Sequence, residues 1–182
     1  MSYLLGSIPF GLFFAKALTG KDLRALGSGN IGATNAFRTG NKWVGILTYV
    51  FDVLKGFVPF FVASFLKFSP HEALIIGALS PLGHMFSIFL KFKGGKGFAS
   101  TLGLLLAFQP WVGLSMLALW GMVFASFKVS GVASISSAFM LPFLVFYGSS
   151  GDKVTMLIFI SLSVLILIKH KSNIKDFLQT KN

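Results

Sequence analysis

The chain has 182 residues, 54% hydrophobic and only 12% charged, against about 25% charged in soluble domains, so a water-soluble globular protein is excluded. Sixteen basic residues against five acidic ones give a net charge of +11; because the basic residues lie between apolar stretches, membrane topology and anionic lipids or substrates come before nucleic acid. The absence of cysteine rules out disulfides, thiol catalysis and cysteine-based metal sites.

An apolar stretch from Tyr3 to Leu18, containing Gly6, Pro9 and Gly11, predicts a first span. As helix it reaches about 24 Å against a hydrocarbon core of about 30 Å, so it starts in the interface or a few residues precede it. It lacks the basic flank and small-residue cleavage site of a signal peptide. Residues 19 to 42 are polar and glycine-rich. Trp43 to Leu66 predicts a second span with Asp52 and Lys55 in its interior, three residues apart on one helix face. Charges at that depth are costly, and the two are either a structural ion pair or part of the chemistry.

After a short loop with Lys67, Pro70 and His71, Glu72 to Leu90 predicts a third span, interrupted by Pro81 and Gly83, that delivers His84 near its end. The turn Lys91-Phe92-Lys93-Gly94-Gly95-Lys96-Gly97 follows. Phe98 to Phe108 and Trp111 to Phe127, separated by Gln109-Pro110, are two short spans or one kinked helix. Val129 to Tyr147 and Val154 to Ile168 complete the apolar segments, and the tail runs from Lys169 through His170 and Asn173 to Lys175 and Asp176.

Charge decides the count. With seven spans, residues 19 to 42, the turn at 91 to 97, Lys128 and the tail share one side, and only Lys67 and Lys153 lie in loops opposite; six spans would scatter them and break the positive-inside rule. The expected fold is one all-α integral membrane domain over residues 1 to 182, a bundle of seven transmembrane helices with the N-terminus outside and the C-terminus cytoplasmic.

Three segments then converge on the cytoplasmic face. In the turn, lysines alternate with glycines that let backbone approach a ligand, as a phosphate cradle would; alone, the segment reads more readily as a charged turn that fixes helix orientation, since it is not a Walker pattern. Ser28-Gly29-Asn30 and Gly32-Ala33-Thr34-Asn35 supply hydroxyl, amide and flexible N–H groups, Thr34-Asn35 can cap the next helix, and Arg38 can grip phosphate in a bidentate manner. His170 and Asn173, three apart, share a face of a continuing helix and can bond a substrate, whereas Lys169, Lys171 and Lys175 read as snorkelling residues. The expected binding set is Ser28, Gly29, Asn30, Thr34, Asn35, Arg38, His84, Lys93, Gly94, Gly95, Lys96, Gly97, His170 and Asn173.

GSIPFG at residues 6 to 11, SGNIGATN, DVLKG from Asp52 to Gly56, GHMFSIFLKFKGGKG and the terminal KHKSNI together resemble the bacterial membrane glycerol-3-phosphate acyltransferases that take their acyl group from acyl phosphate. The resemblance covers nearly the whole chain, with a first helix shorter than the family's. It implies a seven-helix enzyme of the bacterial inner membrane, its site at the cytoplasmic surface, converting glycerol 3-phosphate and long-chain acyl phosphate into lysophosphatidic acid and inorganic phosphate.

The residues bear that chemistry. Acyl phosphate is a mixed anhydride with phosphate as leaving group, so stabilising its charge lowers the barrier directly and direct transfer needs no covalent acyl-enzyme. The expected catalytic residues are Ser28, Arg38, Lys96, His170 and Asn173. Ser28, Asn30 and the Gly94-Gly95 backbone position phosphate oxygens, Lys96 and Arg38 neutralise them, and His170 or the substrate's own phosphate takes the hydroxyl proton. His84 orients the turn. The H-x-x-x-x-D pattern of thioester-using acyltransferases is absent: five residues after His170 stands Lys175, and Asp176 misses by one. No metal or other cofactor is expected, no nucleic-acid partner, and the monomer suffices. Two rivals remain: a transporter of phosphate or an organic anion, which would place its site near the midplane, and a scaffold binding anionic lipid, which would need only the basic residues.

Overall fold

Pro9 shapes the start of the molecule. It has no N–H to continue a helix and disfavours the α region for the residue before it. Ile8 is therefore extended at φ −61°, ψ 120°, and the expected first span divides into α1 (Ser2–Ser7) and α2 (Phe10–Thr19). The Ile8 carbonyl, left outside the helix, accepts a hydrogen bond from Lys55 Nζ at 3.0 Å. The computed structural model describes residues 1–173, and every regular element among them is helical.

After a one-turn α3 (Ala33–Ala36) come α4 (Lys42–Phe65), α5 (Pro70–Met85), α6 (Phe98–Phe108), α7 (Pro110–Phe127), α8 (Ser130–Gly148) and α9 (Lys153–Lys169). Four segments, Lys42–Phe65, Pro70–Leu90, Pro110–Phe127 and Ser130–Gly148, are long and apolar enough to cross a membrane; α9, at 17 residues, reaches about 26 Å. Phe65, Trp111, Tyr147 and Leu157 stand exposed on the outer surfaces, as lipid contact requires. The protein is a membrane protein.

Pro81 does not interrupt α5, as the sequence led one to expect; the helix runs through it to Met85, lacking one N–H, and its start is fixed by a capping box between Ser69 and Glu72 with Pro70 opening the helix. At Gln109 the backbone turns to φ −139°, ψ 84°, so α6 and α7 are two helices packed on each other rather than one kinked rod. Close packing relies on glycine. A Cβ on Gly56 would overlap the Ser100 carbonyl, and one on Gly103 the Val53 carbonyl, so α4 and α6 meet backbone to backbone. Leu74, Met85, Leu104, Met116, Leu141 and Phe159, all fully buried, join α5 through α9 in one core.

Buried apart from that core lie the charges of α4. Lys55 Nζ stands 2.7 Å from Asp52 Oδ1, with both residues at most 3% exposed, and His84 Nδ1 of α5 stands 3.5 Å from the same carboxylate oxygen. The pair is formed, and the carbonyl freed at Ile8 gives Lys55 a second acceptor.

Candidate functional site

Two adjoining cavities open where the polar segments meet. One of 440 Å³ has mostly apolar walls, Phe37, Tyr49, Val50, Phe98 and Trp120 among them, and reaches Asp52 and His84 at depth. The other, of 630 Å³, is basic: Arg38, Lys96 and Lys128 line it with Ser28, Asn30, Thr34, Asn35, His170 and Asn173. Asn30, Thr34, Lys96 and His170 line both. A compartment for anionic groups thus adjoins one for apolar groups.

The first polar segment is held by Asn35. It is 2% exposed, and its Nδ2 lies within 2.9 Å of the carbonyls of Leu23, Leu26 and Asn30 while Oδ1 accepts from Ser28 N–H at 3.1 Å. Its amide is thereby committed to shaping the loop that presents Ser28 and Asn30. The expected helix cap at Thr34-Asn35 is not formed: both residues lie inside α3, and Asn41 caps α4 by accepting from Trp43 N–H at 2.9 Å. Gly29, at φ 68°, makes the turn and lines neither cavity. Gly27 is a residue the motif reading passed over. A Cβ there would overlap Arg38 and Asn35 side-chain atoms, so glycine admits both.

The Lys/Gly turn is built differently from a cradle of flexible glycines. Gly95 N–H donates to the His84 carbonyl at 2.9 Å, and a Cβ on Gly94 or Gly95 would overlap His84. These glycines are needed for contact with α5, and the Gly95 N–H is not available to a ligand. Gly94, Gly95 and Lys93, which is exposed, line neither cavity. Lys96 lines both and Gly97 the apolar one. Gly97, at φ 85°, precedes the first turn of α6, which no side chain among the described residues caps, so the positive end of that helix lies at the cavity wall formed by Gly97, Phe98 and Ala99.

His170 ends α9 and is 4% exposed. Its Nδ1 lies 2.8 Å from the Ile166 carbonyl, which only accepts, so Nδ1 carries the proton and neutral His170 holds its lone pair on Nε2. Burial pushes its pKa down to about 4; the Ile166 carbonyl opposes that and the charge of Lys96 adds to it. Asn173 accepts a hydrogen bond from Lys96 Nζ through Oδ1. A neutral base, an ammonium and a guanidinium therefore border one basic cavity. Ile174, Lys175 and Asp176 lie outside the described residues.

The far wall had no motif to announce it. Trp120 of α7 donates from Nε1 to Ser134 Oγ of α8 at 3.1 Å, and both line the two cavities. On α8 a Cβ at Gly131 would overlap the Asn173 side chain.

The model of the family described as glycerol-3-phosphate acyltransferase matches residues 1–180. Proteins named glycerol-3-phosphate acyltransferase from Pelagibacter ubique and Wolbachia pipientis wMel are 42% and 41% identical, covering 96% and 100% of this chain and 88% and 93% of their own. Among solved structures, the glycerol 3-phosphate form of PlsY, an integral membrane glycerol 3-phosphate acyltransferase, superposes with a TM-score of 0.92 at 37% identity, covering 100% of this chain and 90% of that one. Its lysophosphatidic acid form gives 0.87 at 34% identity with the same coverage.

Proposed function

This chain belongs to the glycerol-3-phosphate acyltransferase family and acylates glycerol 3-phosphate, and on that premise we propose that its donor is a long-chain acyl phosphate and that the acyl group passes directly to the primary hydroxyl. The observation that carries this reading is the pairing of the two cavities. The basic one suits the phosphates of both substrates, and the apolar one, bordered by Phe37, Val50 and Trp120, suits the acyl tail.

In the proposed reaction Ser28, Asn30 and the first turn of α6 hold phosphate oxygens, with Thr34 at the rim, while Arg38 and Lys96 oppose their charge. Nε2 of His170 takes the proton from the glycerol hydroxyl as its oxygen attacks the acyl carbonyl. The new ester C–O bond forms, the mixed anhydride C–O bond breaks, and phosphate departs with the electron pair and finally the proton. Asn173 fixes Lys96, and Asn35 holds the Ser28 loop. No acyl group is bonded to an enzyme atom at any step.

We also place seven crossings in the bilayer, N-terminus outside, with the site at the cytoplasmic face. His71 Nε2 and Asp152 Oδ2 are 3.1 Å apart, which supports an even number of crossings between residues 71 and 152 and so separate crossings by α6 and α7. Lys96 and His170, four helices apart in sequence, meet at the other face in the same way. The basic loops then gather on one side.

Release of inorganic phosphate by the purified protein in detergent tests the donor. The expected result is release only when glycerol 3-phosphate and acyl phosphate are both present, lysophosphatidic acid appearing in step, and no product when an acyl thioester replaces acyl phosphate. Turnover with the thioester alone would overturn the donor assignment.

The rate should also report His170. Its neutral form is the base, so kcat is expected to be flat above about pH 6 and to fall as pH drops through about 4. Stability follows the same direction: unfolding lets this histidine bind a proton between its unfolded value near 6.5 and its folded value near 4, so the folded form loses ground as pH falls through that window. An acid limb near 6 that survives His170→Gln would assign proton acceptance to the substrate phosphate.

A further inference from the structure

The last turn of α5 leaves its carbonyls without intrahelical partners, and three consecutive ones are taken by three different parts of the chain. His84 C=O accepts from Gly95 N–H at 2.9 Å, Met85 C=O from Lys169 Nζ at 2.7 Å, and Phe86 C=O from the Tyr3 hydroxyl. The Lys169 ammonium also lies 4.3 Å from the centroid of the Phe86 ring. The sequence reading of Lys169 as a snorkelling residue at a helix exit is corrected by these contacts: it reaches back to the negative end of α5. Met85, fully buried, serves both sides, since its carbonyl holds Lys169 and its side chain lies under Gly97, where a Cβ would come 2.8 Å from Met85 Cγ.

We infer that Lys169 is a positioning residue that, by closing the end of α5 at Met85, sets the adjacent His170 ring against Lys96 across the cavity. His170 follows Lys169 directly and Lys96 precedes Gly97 directly, so both reacting-side groups are one residue from a Met85 contact. Lys169 itself lines neither cavity and acts through its neighbour. The inference rests on His170 contacting the bound acceptor, whichever group takes its proton.

The test is a mutant cycle on the purified full chain, with phosphate release from acyl phosphate and glycerol 3-phosphate as readout. Lys169→Met is expected to lower kcat about 10- to 100-fold, the scale of a small misplacement of a reacting group, with KM for glycerol 3-phosphate changed less than about twofold. Lys169→Arg keeps a donor and a cation at Met85 and should restore most of the rate. In a His170→Ala background Lys169→Met should cost nothing further, because the group it positions is gone. Equal losses in both backgrounds, or a loss confined to KM, would overturn the inference while leaving the role of His170 intact. A His170→Ala enzyme at the wild-type rate would overturn both. Should Lys169→Met not purify folded, Phe86→Leu removes the ring beside the ammonium and keeps the Met85 bond; a loss of a few fold that vanishes in the His170→Ala background supports the inference, and one that persists there overturns it.

Discussion

Lys96→Met is expected to lower kcat by about 10³-fold while the protein stays folded, because it removes a cation from the place where leaving phosphate gathers charge. Methionine has nearly the length of lysine, so the walls shared with Trp120 and His170 stay filled. The loss should fall on kcat more than on KM, since charge on the bridging oxygen grows as the anhydride bond breaks. His170→Ala is expected to lose roughly tenfold less, because the substrate's own phosphate, with a second pKa near 6, can accept the hydroxyl proton. Asn173→Ala should fall between, removing one hydrogen bond that orients the Lys96 ammonium without deleting the charge. Stopped or continuous phosphate release decides the order. A folded Lys96→Met enzyme holding more than about a tenth of the rate would take the ammonium out of the reaction.

The second large effect is on stability. Asp52→Ala strands Lys55 at 2% exposure with the Ile8 carbonyl as its remaining acceptor, and breaking a buried pair from one side costs about 3–5 kcal/mol. In a chain of this size that lowers the unfolding midpoint by roughly 10 °C, readable in detergent by intrinsic fluorescence of the tryptophans. The double variant Asp52→Asn with Lys55→Met removes both charges and should recover most of the midpoint. If Asp52→Ala unfolds within about 2 °C of the wild type, the buried pair does not contribute to the stability of the fold.

Much of this was legible in the residues. Hydropathy marked α4, α8 and α9 within a residue or two, because a membrane-crossing helix must be apolar along its length and nothing distant alters that. The segments around Ser28, Lys96 and His170 were recognisable as polar, glycine-punctuated breaks, and the structure brings all three to one pair of cavities. What stayed hidden depends on partners far along the chain. Gly94 and Gly95 look like hinges until His84 is seen against them. Asn35 looks like a ligand until its amide is found spent on four backbone groups. Trp120 and Ser134 sit among apolar neighbours with no spacing to mark them, and the grip of Lys169 on Met85 spans 84 residues. Periodicity carries no record of such pairings.

The first helix raises a question of timing. Gly6 packs on the Ser80 backbone, Gly83 on the Tyr3 carbonyl, and Ser87 Oγ donates to the Ser7 carbonyl at 2.6 Å across 80 residues of sequence. At about 5–20 residues per second, the ribosome needs roughly 4–16 s to make that stretch. For those seconds the newborn α1 lacks its surface on α5, and until Lys55 is made, 47 residues after Ile8, the Ile8 carbonyl has no lysine. The earliest residues therefore settle only once the middle of the chain has been made. A slowed α5 would lengthen the wait, exposing the unfinished segment to membrane proteases before the site it supports exists.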